Sequence, residues 1–383
     1  MRKLLALLLS CVLLVGCSTT SEFDEYSRVI QDGQTMQDEV EPDSKSDSDY
    51  LDSEVLEEVL SSEENRWVKK CEEFSYSSDH IWADAYRQII ADVCTTRQVN
   101  PEVINIIYGP DTDPSDALIA AYVDTALFAW SFWEKYIPEG TRKTTFVVVT
   151  PEDGKWWEEN SDTFTSVPQS ELGSCAYFDE NNFCSYKYFV YEGNSNIDSD
   201  VILWVVREGS PLKEDTFIDP AHNAAHWFHD AYGFEHWYEF LIEGHATLFE
   251  IAFHVLENST KEVRIAERQR ESFAWLSHTR DTFRFDADTE AEANAHFDKC
   301  FGRGGDCNHF YYGGGAMFHE TLILNFGYEY FMDWGKAVGS VENVDEFNSL
   351  FEEWFRKPIA SYQRNEFSSH VIHSFKHYYE IWE

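Results

Sequence analysis

The reading of this chain turns on one stretch, "DPAHNAAHWFHDAYGFEHWYEFLIEGHATLFE", Asp219 to Glu250. Asp219-Pro220 supplies an N-cap followed by proline at the first helical position, and Gly233 supplies a stop. Between them His222 and His226 stand four residues apart, so both imidazoles lie on one face of a helix, within reach of a single metal ion. His229 falls on that face too. Alone, such a pair fits a helix whose histidines merely hydrogen-bond. The next segment changes the balance: Glu243-Gly244 sits inside a strongly apolar helix, and carboxylates are rarely buried without a partner. A helix packed antiparallel to the histidine helix brings Glu243 beside the two imidazoles. Two histidines and one glutamate leave a fourth position on a zinc ion open, the pattern of a catalytic rather than a structural site.

Outward from this stretch the chain divides into five parts: 1–17, 18–65, 66–114, 115–217 and 218–383. The first has Arg2 and Lys3 ahead of an apolar run, Leu4 to Leu14, too short to span a bilayer as a mature helix, and it ends in Leu14-Val15-Gly16-Cys17. The second is dominated by Asp, Glu and Ser and reads as a disordered acidic tether, with weak helical spacing from Leu51 to Leu60. From Trp67 to Tyr108 the pattern is helical, with Ile81, Ala85, Ile89 and Val93 at three- and four-residue steps. A further helix runs from about Ser115 to Tyr136. Thr144 to Thr150 is a β-branched run closed by Pro151, and Phe183 to Tyr191 and Val201 to Val206 are two more strand candidates. Strands precede the histidine helix and helices follow it, which predicts an α+β fold: a small sheet, then a mainly helical half carrying the site.

The net charge of -41 argues against a nucleic-acid partner, since no basic footprint is present to meet phosphates. Beyond the first segment six cysteines remain, Cys71, Cys94, Cys175, Cys184, Cys300 and Cys307, an even set that suits an oxidising compartment. Fifteen pairings are open. The sequence-local one, 71 with 94, 175 with 184 and 300 with 307, closes the smallest loops. None forms a Cys-x-x-Cys pair, which argues against a zinc ribbon.

Two resemblances follow from these residues. Leu14 to Cys17 resembles a bacterial lipobox, which implies acylation at Cys17, anchoring to a lipid bilayer and, with Ser18 rather than Asp next, sorting to the outer membrane of a Gram-negative envelope. The region from roughly Ser115 to Tyr362 resembles the gluzincin zinc peptidases of the aminopeptidase type. That family carries His-Glu-x-x-His on one helix and a glutamate ligand in a second; here Leu241, Glu243, Gly244, Ala246 and Glu250 approximate the second pattern, with Trp237 displaced. Tyr311-Tyr312-Gly313-Gly314-Gly315-Ala316 is similar to the family's Tyr-x-x-Gly-Ala segment, whose tyrosine steadies the transition state, making Tyr312 the counterpart, with Tyr311 open. The resemblance implies Zn²⁺ held by His222, His226 and Glu243.

The chain departs from the family at Asn223, where the family has the glutamate that accepts the proton of the metal-bound water. An amide can orient a water but accepts no proton near neutral pH. Other groups nearby in sequence are His229, Asp230, Glu235, Glu239, His245 and His319, none singled out by spacing. The Gly313-Gly314-Gly315 run has no phosphate-loop context. Three readings result: a tethered zinc-site lipoprotein with little peptidase activity, working as a module that binds a peptide or protein; an active metallohydrolase using a different base; and a structural envelope lipoprotein with a vestigial site.

Overall fold

The computed structural model describes residues 65–75, 82–164, 189–191, 199–205, 218–234, 239–257, 308–367 and 369–370. These all fall within one compact unit made of 50–167 and 185–383. Cys17, Cys175, Cys184, Cys300 and Cys307, the apolar leader, the acidic segment to residue 64 and Trp237 lie outside the described residues.

The first helices are α1, Arg66–Glu73, and α2, Ala83–Val93. A disulfide between Cys71 and Cys94 ties them, as the sequence-local pairing expects. Closing a loop of this length stabilises the fold by about 3 kcal/mol through the unfolded chain. The Asn65 side chain caps α1 by accepting from Trp67 N. Arg66, fully buried, donates from Nη2 to both carboxylate oxygens of Glu257 at 2.8 and 2.7 Å.

Ile104–Tyr108 is a strand, β1, where the sequence reading continues a helix. It is followed by α3, Ala117–Glu134, and then β2, Lys143–Val149, which pairs with β1 in parallel. After a 3₁₀ turn at Pro151–Asp153 come α4, Gly154–Phe164, β3, Phe189–Tyr191, and β4, Ser199–Val205. The sheet order is β1-β2-β4-β3, with β4 parallel to β2 and β3 antiparallel to β4. This is the expected α+β order, a small sheet followed by a mainly helical region, with helices α1 to α4 standing before and between the strands. Parallel neighbours force crossovers, and the one between β1 and β2 lays α3 on the sheet. β2 is buried at every residue but Lys143, consistent with its unbroken β-branched run. Helix α3 presses on the sheet through Tyr122, stacked on Trp204 at 3.6 Å between ring centres, and Trp130, which meets Phe146 edge-on and donates from Nε1 to Thr144 Oγ1. The Asp116 side chain caps α3, accepting from Leu118 N and Ile119 N.

At the ends of β1 and β2 a buried carboxylate gathers two loops. Asp153 accepts from Asp111 N, Thr112 Oγ1, Thr150 N and Thr150 Oγ1. Four donors satisfy a charge that burial would otherwise make costly.

Among the described residues, the helical half comprises α5, Asp219–Tyr232; α6, Glu239–Glu257; α7, Asn308–Phe326; α8, Tyr328–Val338; α9, Val344–Phe355; and α10, Ile359–Tyr362, with a π turn at Gln363–Phe367. Among the described residues no helix is long and apolar enough to cross a membrane. α6 packs on both α5 and α7. The contact with α7 is extraordinarily close at Gly244: a Cβ there would lie 2.4 Å from the Cα and carbonyl carbon of Gly315. Thus Gly313-Gly314-Gly315 is buried inside a helix, and its missing side chains are what lets two backbones meet.

Candidate metal centre

Helix α5 begins at Asp219, one residue earlier than the sequence expects, with Ile218 as its N-cap and Pro220 in the first turn. It ends at Gly233 in the left-handed region, φ 70°, as the sequence expects. Trp227 fixes its rotation by donating from Nε1 to Arg142 O at 2.9 Å. That rotation turns His222 and His226 towards α6, where Glu243 waits.

The three donors converge. Glu243 Oε2 lies 3.3 Å from His222 Nε2 and 3.7 Å from His226 Nε2, and the donor atoms of all three lie within 4.8 Å of one another. Bonds of about 2.1 Å in a tetrahedron set donor atoms roughly 3.4 Å apart. The Glu243 separations match that edge, so this group could hold a metal ion. The donor set, two imidazoles and a carboxylate, suits zinc among the common divalent ions.

Each imidazole also has its second nitrogen occupied. His222 Nδ1 lies 3.2 Å from Glu250 Oε2, and the other oxygen of Glu250 is 3.8 Å from His254 Nε2. A carboxylate behind a histidine fixes its tautomer and raises its basicity towards a metal. Glu250 enters the sequence reading only as part of a pattern; its place two turns from Glu243 on α6 was the available signal. His226 Nδ1 lies 3.3 Å from His229 Nδ1, and His229 Nε2 lies 2.8 Å from His245 Nδ1.

The other expected residues are placed as follows. Tyr312 is 47% exposed, and its ring lies 6.0 Å from that of His222, tilted by 27°. It therefore borders the site at the solvent side. The Tyr311 side chain lies outside the described residues. Asn223 is buried and donates from Nδ2 to Asp219 O at 3.1 Å, so its amide braces the first turn of its own helix. Of the acidic groups near the site in sequence, Asp230 is exposed, while Glu235 and the Glu239 side chain lie outside the described residues. His229, His245 and His319 are buried in the core.

Burial dominates the protonation of these three rings. It holds His229 and His245 far below the ordinary histidine range, with neighbouring imidazoles adding to the effect. It pushes His319 down to about 4, although a bond from Nε2 to Leu241 O partly opposes it. The unfolded chain takes up a proton at His319 near its ordinary value of 6.5, and the folded chain refuses it until about pH 4. Stability is therefore complete above that upper value and falls as pH drops through the window, by roughly 1 kcal/mol per pH unit for this ring. Chemical denaturation between pH 7 and 4.5 checks this: His319→Gln is expected to flatten the slope by about that amount. An unchanged slope would remove His319 as its source.

The chain matches no family model, no curated protein and no solved structure.

Proposed function

We propose that this chain is a zinc-binding protein of gluzincin type whose peptidase chemistry is weak or absent, and that it serves as a binding module held at a membrane. The observation that carries the reading is the convergence of His222, His226 and Glu243 from two helices, with donor separations suited to one ion. Glu250 behind His222 and Tyr312 beside it support the same reading. Bound zinc would supply a Lewis acid and an acidified water. This chain's residues would contribute the rest: His222, His226 and Glu243 hold, Glu250 orients, and Tyr312 faces whatever enters.

What the chain lacks at the expected place is a proton acceptor. Asn223 has none, and its amide is engaged with Asp219 O. The buried histidines do not favour a replacement, since His229 and His245 are bonded to each other. Zn²⁺ with two neutral imidazoles and one carboxylate retains a net positive charge, so an anionic group, such as a peptide carboxylate, is the expected ligand. The membrane tether is proposed on Leu14-Val15-Gly16-Cys17 alone.

The test is metal stoichiometry of the full chain purified without chelators. One zinc per chain is expected for wild type and none for His226→Ala, with the helical content of the variant checked by circular dichroism. Stoichiometric zinc in a folded His226→Ala protein would place the metal elsewhere, and its absence from wild type after reconstitution would end the zinc reading.

A further inference from the structure

Tyr312 stands apart from the rest of the site by its exposure. Among the described residues the large apolar side chains left exposed are Tyr312, at 47%, and Tyr330, at 38%. Packing accounts for Tyr330: its hydroxyl donates to Trp354 O at 2.7 Å, and its ring meets those of Trp354 and Phe326 at 4.9 and 6.1 Å. Tyr312 instead stands at the opening of the metal centre, its ring 6.0 Å from that of His222. That opening lies towards Glu243, whose side chain is 27% exposed against 10% for His222.

The sequence of α7 keeps this ring uncovered. Residues three and four places further on share its helix face, and here they are Gly315 and Ala316. Neither side chain is large enough to lie over a tyrosine ring. The result is a flat, rigid apolar surface that loses little freedom when a ligand settles on it. Its surroundings decide what that ligand is. Zn²⁺ with two neutral imidazoles and one carboxylate keeps a net positive charge, so the group that reaches the metal position is an anion. The same charge disfavours a cation on the face of Tyr312, although aromatic rings attract cations elsewhere. An anion carrying a flat apolar group suits both surfaces. In an aromatic amino acid Cα and Cβ alone separate the ring from the carboxylate, which sets both contacts within one residue. Its nitrogen is expected to be an amide, since a free ammonium would meet the same positive charge.

We propose that the site recognises the C-terminal residue of a peptide that ends in an aromatic side chain, with the carboxylate at the metal position and the ring against Tyr312. The carboxylate half rests on the zinc reading. The ring half rests on the exposure and placement of Tyr312. The role belongs to the tyrosine ring and not to its hydroxyl, so it is separate from the transition-state part that the family resemblance implies.

The experiment titrates the full chain, zinc-loaded and metal-free, with N-acetylphenylalanine, N-acetylleucine and N-acetylalanine, and reads binding by calorimetry. The three probes share one carboxylate and one amide and differ in the side chain alone. The zinc-loaded chain is expected to bind N-acetylphenylalanine roughly 3- to 10-fold more tightly than N-acetylalanine, with N-acetylleucine between them. Tyr312→Ala is expected to bring the three within about twofold of one another, whereas Tyr312→Phe, which keeps the ring, should preserve the preference. Equal affinity for N-acetylphenylalanine and N-acetylalanine in a zinc-loaded chain would overturn the inference and leave the zinc reading standing. Binding of N-acetylleucine as tight as that of N-acetylphenylalanine would overturn the aromatic choice, and a preference that survives Tyr312→Ala would place the ring elsewhere. A chain that takes up no zinc yet prefers N-acetylphenylalanine, and loses that preference in Tyr312→Ala, would end the zinc reading and keep the ring contact. A chain that takes up no zinc and binds none of the three probes would end both.

Discussion

Replacing Gly244 with alanine is expected to destabilise the protein by about 3 kcal/mol or more and to weaken metal binding with it. The added methyl would lie 2.4 Å from the Cα and carbonyl carbon of Gly315. Both are backbone atoms within a helix, so no side chain can swing aside. Relief requires α6 and α7 to move apart, which opens the tightest part of the helical core. It also displaces Glu243, the neighbouring residue and part of the group that could hold a metal. In an ordinary helix the same change would stabilise by up to about 1 kcal/mol, because alanine is the better helix former. The sign of the effect is therefore diagnostic. Urea denaturation read by tryptophan fluorescence would decide it. A Gly244→Ala protein as stable as wild type would mean that the helices do not approach this closely.

Asn223→Glu is expected to raise peptide hydrolysis by roughly 10²- to 10⁴-fold over wild type, about 3–5 kcal/mol of barrier. The substitution places a carboxylate one residue from His222, where a general base would meet a metal-bound water. It forfeits the bond from the Asn223 amide to Asp219 O, a loss of about 1 kcal/mol or less at a helix start whose backbone bonds remain. Tyr312 stays in place beside His222, so Asn223→Glu combined with Tyr312→Phe should forfeit part of the gain. A mixed peptide library read by mass spectrometry, with zinc content confirmed for each variant, is the measurement. No gain in a zinc-loaded Asn223→Glu protein would show that the surrounding cleft no longer accepts a substrate. Wild-type cleavage at ordinary rates, indifferent to residue 223, would show that another group serves as base.

The three groups that could hold a metal were legible in the sequence because helix periodicity brings them together: His222 and His226 share a face by spacing, and an acidic residue in an apolar helix demands a partner. Glu250 obeys the same rule, two turns beyond Glu243. His229 and His245 are different. Their pairing joins α5 to α6, and no spacing within one helix reports a contact between two. β1 was missed because Ile104, Ile106 and Ile107 suit a helix face nearly as well as a strand in so short a run; its pairing with β2 decides the matter. The triple glycine was read for what it is not, a phosphate loop, and its place within α7 was hidden by glycine's poor helix propensity, which close packing against Gly244 overrides.

Asp153 has a consequence for how the sheet end breathes. Loop amides ordinarily exchange their hydrogens with solvent first, because little must open to expose them. Here the amides of Asp111 and Thr150 belong to different loops but end on the same buried carboxylate. Neither can be released without disturbing the acceptor of the other. Their deuterium uptake should therefore be slow and should rise together, in step with the ends of β1 and β2, and Asp153→Ala, which removes both acceptor oxygens, should set both free at once.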